Sequence, residues 1–233
     1  MSRFLVLFSN SRFFRLLFLF PILLFCLEPI ALFDPPEGWE CAFPDKLSPC
    51  VQIGFLGKGA TPFRPSINLA VEEIDVDLKQ YVKAVKAIHL SEKGTSWSDL
   101  GKFNTRSGIG RLTEIRSHSQ MGQVKMLQLL FVKDHYAYIL TGAAIKDEFL
   151  KFQEDFIKTF QSLHFIPHLF SPLPFEKQEL FQKFFANLGK QSSKEEADAQ
   201  WLDLQNLVVQ DGKEMGNYWQ ILVLKQGREK LYP

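Results

Sequence analysis

The sequence predicts an α+β layer domain: an antiparallel β-sheet flanked by helices on both faces, followed by a helical extension. Three observations predict it. Strand-type and helix-type periods come in blocks (strands, helix, strands, helix), whereas a parallel sheet would alternate them one by one. Residues 124–132 are apolar on both sides, with Val124, Met126, Leu130 and Val132 pointing one way and Leu127, Leu129 and Phe131 the other. Such a strand belongs in the middle of a sheet covered on both faces. Finally, Lys133-Asp134-His135 is short enough to join that strand to residues 136–141 as a hairpin.

The elements follow in chain order, beginning with a leader at residues 1–27. Arg3, Arg12 and Arg15 precede the apolar run 16–27 (LLFLFPILLFCL), and no acidic residue comes before Glu28. A basic lead and an apolar core of about 7–15 residues is the pattern of a secretory signal, and it is short for a bilayer span of about 20 residues. Three endings are open. Cys26, after Leu23-Leu24-Phe25, resembles a lipobox cysteine that becomes lipidated, although Phe25 is larger than the small residue usual there. A conventional cut finds its nearest small-residue site at Pro29-Ile30-Ala31, and an uncleaved anchor would use residues 13–33. All three place the remainder outside the cytoplasm, periplasmic or in the envelope, with the fold beginning near Asp34.

Pro35-Pro36-Glu37-Gly38 is a turn into Trp39, Cys41 and Phe43, which alternate with Glu40 and Ala42 as a half-buried strand does. Residues 51–55 form a second strand, and residues 67–74 a third with Ile67, Leu69 and Val71 on one side. The period then lengthens: Leu78, Tyr81, Val82, Val85 and Ile88 recur at helical spacing, and Asp77 with Gln80 reads as a capping box. Residues 94–110 read as a polar loop carrying Trp97 and Phe103. Strand character resumes at 111–117, breaks at 118–122, and returns in the hairpin described above. A helix follows with Phe149, Phe152, Phe156 and Phe160 on one stripe and with Asp147 and Glu148 favourably placed in its first turn. Beyond Phe165, a proline-rich apolar connection (166–175) leads to helices at 180–188 and 197–208, and residues 218–224 suit a helix or a strand.

Composition excludes some classes. The formal net charge is +1 with three positive charges in the leader, so the remainder carries about −2. That is no electrostatic footprint for nucleic acid, and no polybasic stripe serves anionic lipid. With Cys26 in the leader, Cys41 and Cys50 remain, both in the first hairpin; a disulfide between them and two small buried thiols are both open. No cofactor or metal site is expected. His164 and His168 are four apart, but Pro167 between them breaks the helix that would align them. His118 and His135 fall in turns and His89 ends a helix. Ser107-Gly108-Ile109-Gly110-Arg111 lacks the following helix that a phosphate-binding glycine loop needs. Trp97 and Phe103 form a partner-contact patch if exposed, or tuck onto the core if not.

Residues 33–165 resemble the PsbP-like family. The resemblance rests on the proline-rich entry to Gly38-Trp39 with Pro44 soon after, and on the helix beginning near Asp77. It rests most on Tyr136-Ala-Tyr-Ile-Leu-Thr-Gly-Ala-Ala144, followed by a helix closing on Thr159-Phe-Gln-Ser-Leu-His-Phe165. The resemblance implies a twisted antiparallel sheet between helices, no enzymatic activity and macromolecular partners, as in bacterial envelope members, some of them lipid-anchored. Residues 166–233 match nothing in that pattern and are expected to pack on the domain. The function expected is that of a non-catalytic exported envelope protein holding or helping assemble a protein partner at a membrane. The alternative is a carrier of a lipid or hydrophobic ligand between sheet and helices, suggested by 23 phenylalanines.

Overall fold

The computed structural model describes residues 29–42, 51–190 and 193–232. A seven-stranded sheet, antiparallel throughout, runs in the order β2-β3-β4-β8-β7-β6-β5. Its strands are β2 (Glu40–Cys41), β3 (Val51–Leu56), β4 (Ser66–Glu73), β5 (Ser96–Thr105), β6 (Gly108–Ser119), β7 (Gly122–Lys133) and β8 (Tyr136–Ile145). A two-stranded pair, β1 (Ile30–Leu32) with β9 (His164–Ile166), lies beside it. Helices α1 (Leu78–Ser91) and α2 (Phe149–Ser162) flank the sheet, and α3 (Phe175–Asn187), α4 (Lys194–Asp211) and α5 (Gly216–Leu231) form the extension.

Register assigns the two faces. Leu129 pairs Leu140, Leu140 pairs Leu69 and Leu112 pairs Leu129, so these side chains share one face. They join Phe149, Phe156 and Phe160 of α2 in one apolar core. Those three α2 rings are at most 1% exposed, and each contributes about 1.5–3 kcal/mol by leaving water. Leu130, Ala137 and Ile139 occupy the opposite face under Tyr81 and Val85 of α1. The two-sided pattern of β7 therefore reflects real cover on both sides, and helices do sit on both faces.

Local chemistry fixes the element ends. The Asp77 side chain accepts from the Gln80 amide at 2.7 Å while Gln80 returns a bond to the Asp77 N–H at 3.3 Å, closing the capping box of α1. Asp134 and His135 have φ of +50° and +66°, as the right-handed strand twist asks of a two-residue hairpin turn. The extension shares the α2 core: Phe33 meets Tyr218 at 4.7 Å and Phe55 meets it at 6.2 Å. Trp219 donates its indole N–H to the Leu169 carbonyl at 2.7 Å. Residues 218–224 are helical, as part of α5.

Four expectations need correction. Residues 94–110 are not a polar loop: β5 and β6 pair across almost all of them. β5 is an edge strand, so its outer positions are polar, and a bulge at Leu100 breaks the alternation. The strand expected to stop at His118 continues to Ser119, and only Gln120-Met121 forms the turn into β7. The fold begins before Asp34, because Ala31, Leu32 and Phe33 are all under 5% exposed and β1 pairs with β9. A cut at Pro29-Ile30-Ala31 would remove part of a core strand. Glu148 does not serve the α2 dipole from its first turn. It precedes the helix, is 7% exposed, and accepts from the Ala60 amide at 3.2 Å and from Lys151 at 3.4 Å.

A basic cleft at one end of the sheet

The β5–β6 and β7–β8 turns lie at one end of the sheet; the β6–β7 turn and the exit of β8 lie at the other. At this second end α2 starts, and its first residue, Phe149, borders Lys125. Register brings cations together there. Arg116 pairs Lys125, Lys125 pairs Ala144, His118 pairs Gln123, and Lys146 leaves β8 just beyond Ile145. With Ser96 from β5 they line a cleft of about 250 Å³.

Its electrostatics are unbalanced. Glu114, two positions along β6, takes Arg116 at 2.6 Å on one oxygen and Lys125 at 2.8 Å on the other. Burial alone would raise the Glu114 pKa, but the hydrogen bonds from Lys125 and Arg116 outweigh it and hold the carboxyl below its ordinary value. Lys125 also rests over the Phe149 ring, 4.6 Å from its centroid. Lys146 has no carboxylate within 4 Å among the described residues; its ammonium donates to Gln123 Oε1 at 3.0 Å. Gln123 Nε2 lies 3.1 Å from His118 Nε2, and His118 Nδ1 lies 3.4 Å from the Gly94 carbonyl. The Nδ1–H tautomer satisfies both contacts. Of the three cations, Arg116 and Lys125 share the Glu114 carboxylate and Lys146 meets only an amide oxygen among the described residues.

The residues singled out in the sequence are not gathered here. Trp97 and Phe103 are six apart, and an unbroken strand would place them on one side. The bulge at Leu100 divides them: Trp97 pairs Ile115, whereas Phe103 pairs Gly110 and meets Phe160 of α2 at 6.3 Å. Trp97 lies on the α1 face with Lys86 5.4 Å from its ring centroid. Both rings are half-buried, on opposite faces. Cys41 is exposed in β2 and Cys50 lies outside the described residues, as does Cys26. His164 lies 3.0 Å from the Ser162 carbonyl, and of the histidines only His118 lines the cleft. No group of metal-ligating side chains occurs among the described residues. No helix among them is long and apolar enough to cross a membrane. Sequence reasoning missed Arg116, Lys125 and Lys146; the available signal was a basic residue near each of three strand ends facing one connection, legible only with the register known.

No family model matches the chain, and no curated protein matches it. Similar solved structures include LpqN of Mycobacterium tuberculosis, described as involved in cell envelope biogenesis, at 14% identity and a TM-score of 0.48, covering 60% of this chain and 85% of that one. The cyanobacterial PsbP (CyanoP) of Synechocystis sp. PCC 6803 is similar at 14% identity and a TM-score of 0.42, covering 58% and 86%. A Pseudomonas aeruginosa protein of unknown function has 11% identity and a TM-score of 0.41, covering 57% and 96%. At these identities the likeness is one of fold and carries nothing about ligand or partner.

Proposed function

We propose that this chain is an exported binding protein of the cell envelope, held at a membrane through Cys26 or its leader, that engages a macromolecular partner without transforming it. The observation that carries the reading is the opposition of the two ends of the sheet. Tyr138 bonds the Pro29 carbonyl near the β7–β8 turn, so the described chain enters at that end. Cys26 is three residues upstream, and three residues of chain can reach at most about 11 Å. The cleft lies level with Ala144 and Ile145, six to seven residues along β8 from Tyr138, or about 20–23 Å. Anchored at one end, the protein presents an open charged surface at the other. The leader pattern supports export.

Among the described residues the carrier reading meets a filled core. The space between sheet and α2 is occupied by rings in contact, Phe149 on Phe156 at 5.5 Å and Phe103 on Phe160 at 6.3 Å. The decisive measurement is the intact mass of the protein recovered from membranes. A chain beginning at an acylated Cys26, or one that keeps its leader in the membrane fraction, is expected. Full-length protein dissolved in cytosol would overturn the proposal, as would turnover of a substrate by a preparation that captures no partner.

A further inference from the structure

We propose that the cleft at the β6–β7 end of the sheet binds the phosphate group of a phosphomonoester. The inference rests on reading this cleft as the binding surface, and it does not depend on export or on an anchor. Arg116, Lys125 and Lys146 arrive from β6, β7 and the β8 exit, and strand pairing holds their backbones in place. Glu114 engages the first two and leaves the set with a surplus of two positive charges. A phosphomonoester carries about −1.5 to −2 at pH 7, which matches that surplus, whereas a carboxylate or a phosphodiester carries about −1.

The donors suit the same ligand. The ammonium of Lys146 has one hydrogen on Gln123, which leaves the others to be directed at a ligand. Arg116 is held on Glu114 through Nε and Nη2, so its remaining guanidinium N–H groups point away from that carboxylate. Ser96, which pairs with Arg116, lines the same cleft on the same face and adds a hydroxyl donor. His118 and Gln123 bond each other and so act as a wall that keeps Lys146 in position. The volume, about 250 Å³, is below the usual range for a drug-sized ligand and suits one small anionic group or the phosphorylated tip of a larger molecule.

The test is a two-dimensional amide NMR titration of the full chain in neutral detergent at constant ionic strength. Inorganic phosphate, glycerol 3-phosphate, glycerophosphoglycerol and acetate are added separately. Saturable shifts are expected with phosphate and glycerol 3-phosphate, centred on Ser96, Arg116, His118, Gln123, Lys125 and Lys146. Lys146→Ala, an exposed change remote from the core, is expected to weaken binding about tenfold, the scale of one charge-assisted hydrogen bond. Lys133→Ala at the opposite end is expected to change nothing. Glycerophosphoglycerol, a phosphodiester of charge about −1, is expected to bind more weakly, and binding as tight as that of the monoester would overturn the charge match on which the proposal rests. Equal shifts with acetate, shifts scattered over surface lysines, or no saturation with any phosphate would overturn the proposal. The mass measurement on membranes bears on the anchor alone, so the two readings fail separately.

Discussion

The Tyr138 hydroxyl donates a 2.7 Å hydrogen bond to the carbonyl of Pro29, 109 positions earlier in the chain, and the bond is buried. It ties Pro29, where the described chain begins, to β8, the central strand of the sheet. Tyr138→Phe would leave a buried carbonyl without its donor, at a cost of about 1–2 kcal/mol. Chemical denaturation should show a lowered midpoint with an unchanged slope, because the surface exposed on unfolding is the same. A truncation starting at Asp34 removes Ala31, Leu32 and Phe33 from the core and should lose far more than this single substitution.

Glu114 gives the stability a defined pH dependence. Its folded pKa lies below its ordinary value of 4.5, so it contributes stability above about pH 4.5 that is lost as pH falls through the folded value. Thermal melts from pH 7 to pH 3 should therefore show the wild type losing more than Glu114→Gln over that interval. At pH 7 the substitution should cost about 1–2 kcal/mol, since Lys125, only 20% exposed, loses its carboxylate. Equal acid sensitivity in the two proteins would assign the loss to other carboxylates.

Gly142 marks how closely α2 approaches β8. A Cβ there would sit 2.6 Å from Cγ and Cδ1 of Phe156, whose ring is fully buried. Gly142→Ala should destabilise by about 1–3 kcal/mol through overpacking. Combining it with Phe156→Leu should cost less than the sum of the two single changes, because the smaller side chain vacates the overlap. Strict additivity of the unfolding energies would place Phe156 elsewhere.

What was legible in the sequence was legible because a local signal agreed with the tertiary environment. β7 declared its central place through Leu127, Leu129 and Phe131 set against Met126, Leu130 and Val132, and α1 declared its start through Asp77 and Gln80. β5 was hidden because an edge strand exposes one side and its bulge at Leu100 reverses the phase between Trp97 and Phe103. β1 was hidden because Ile30 to Leu32 follow the apolar run 16–27 by only two residues, while their partner strand, His164–Ile166, lies some 130 residues later. The cleft is a product of register alone. Arg116, Lys125 and Lys146 belong to three separate segments, and no local period relates them.

The β7–β8 turn offers a stabilising change. Asp134 and His135 both adopt positive φ, and a side chain in that region costs about 1–2 kcal/mol relative to its ordinary conformations. His135→Gly removes that cost at the second position, though glycine also gives the unfolded chain more freedom. The His135 side chain is exposed, and its nearest ionic partner, Asp75, is fully exposed and 3.8 Å away, so little is lost with it. The turn's link to the rest of the sheet is a backbone bond, from the Ile74 amide to the His135 carbonyl at 2.8 Å, and glycine retains it. The net gain should be about 0.5–1 kcal/mol, raising Tm by about 2–3 °C in a domain of this size. A lower Tm for His135→Gly would mean that the imidazole holds the turn through a contact worth more than the strain it relieves.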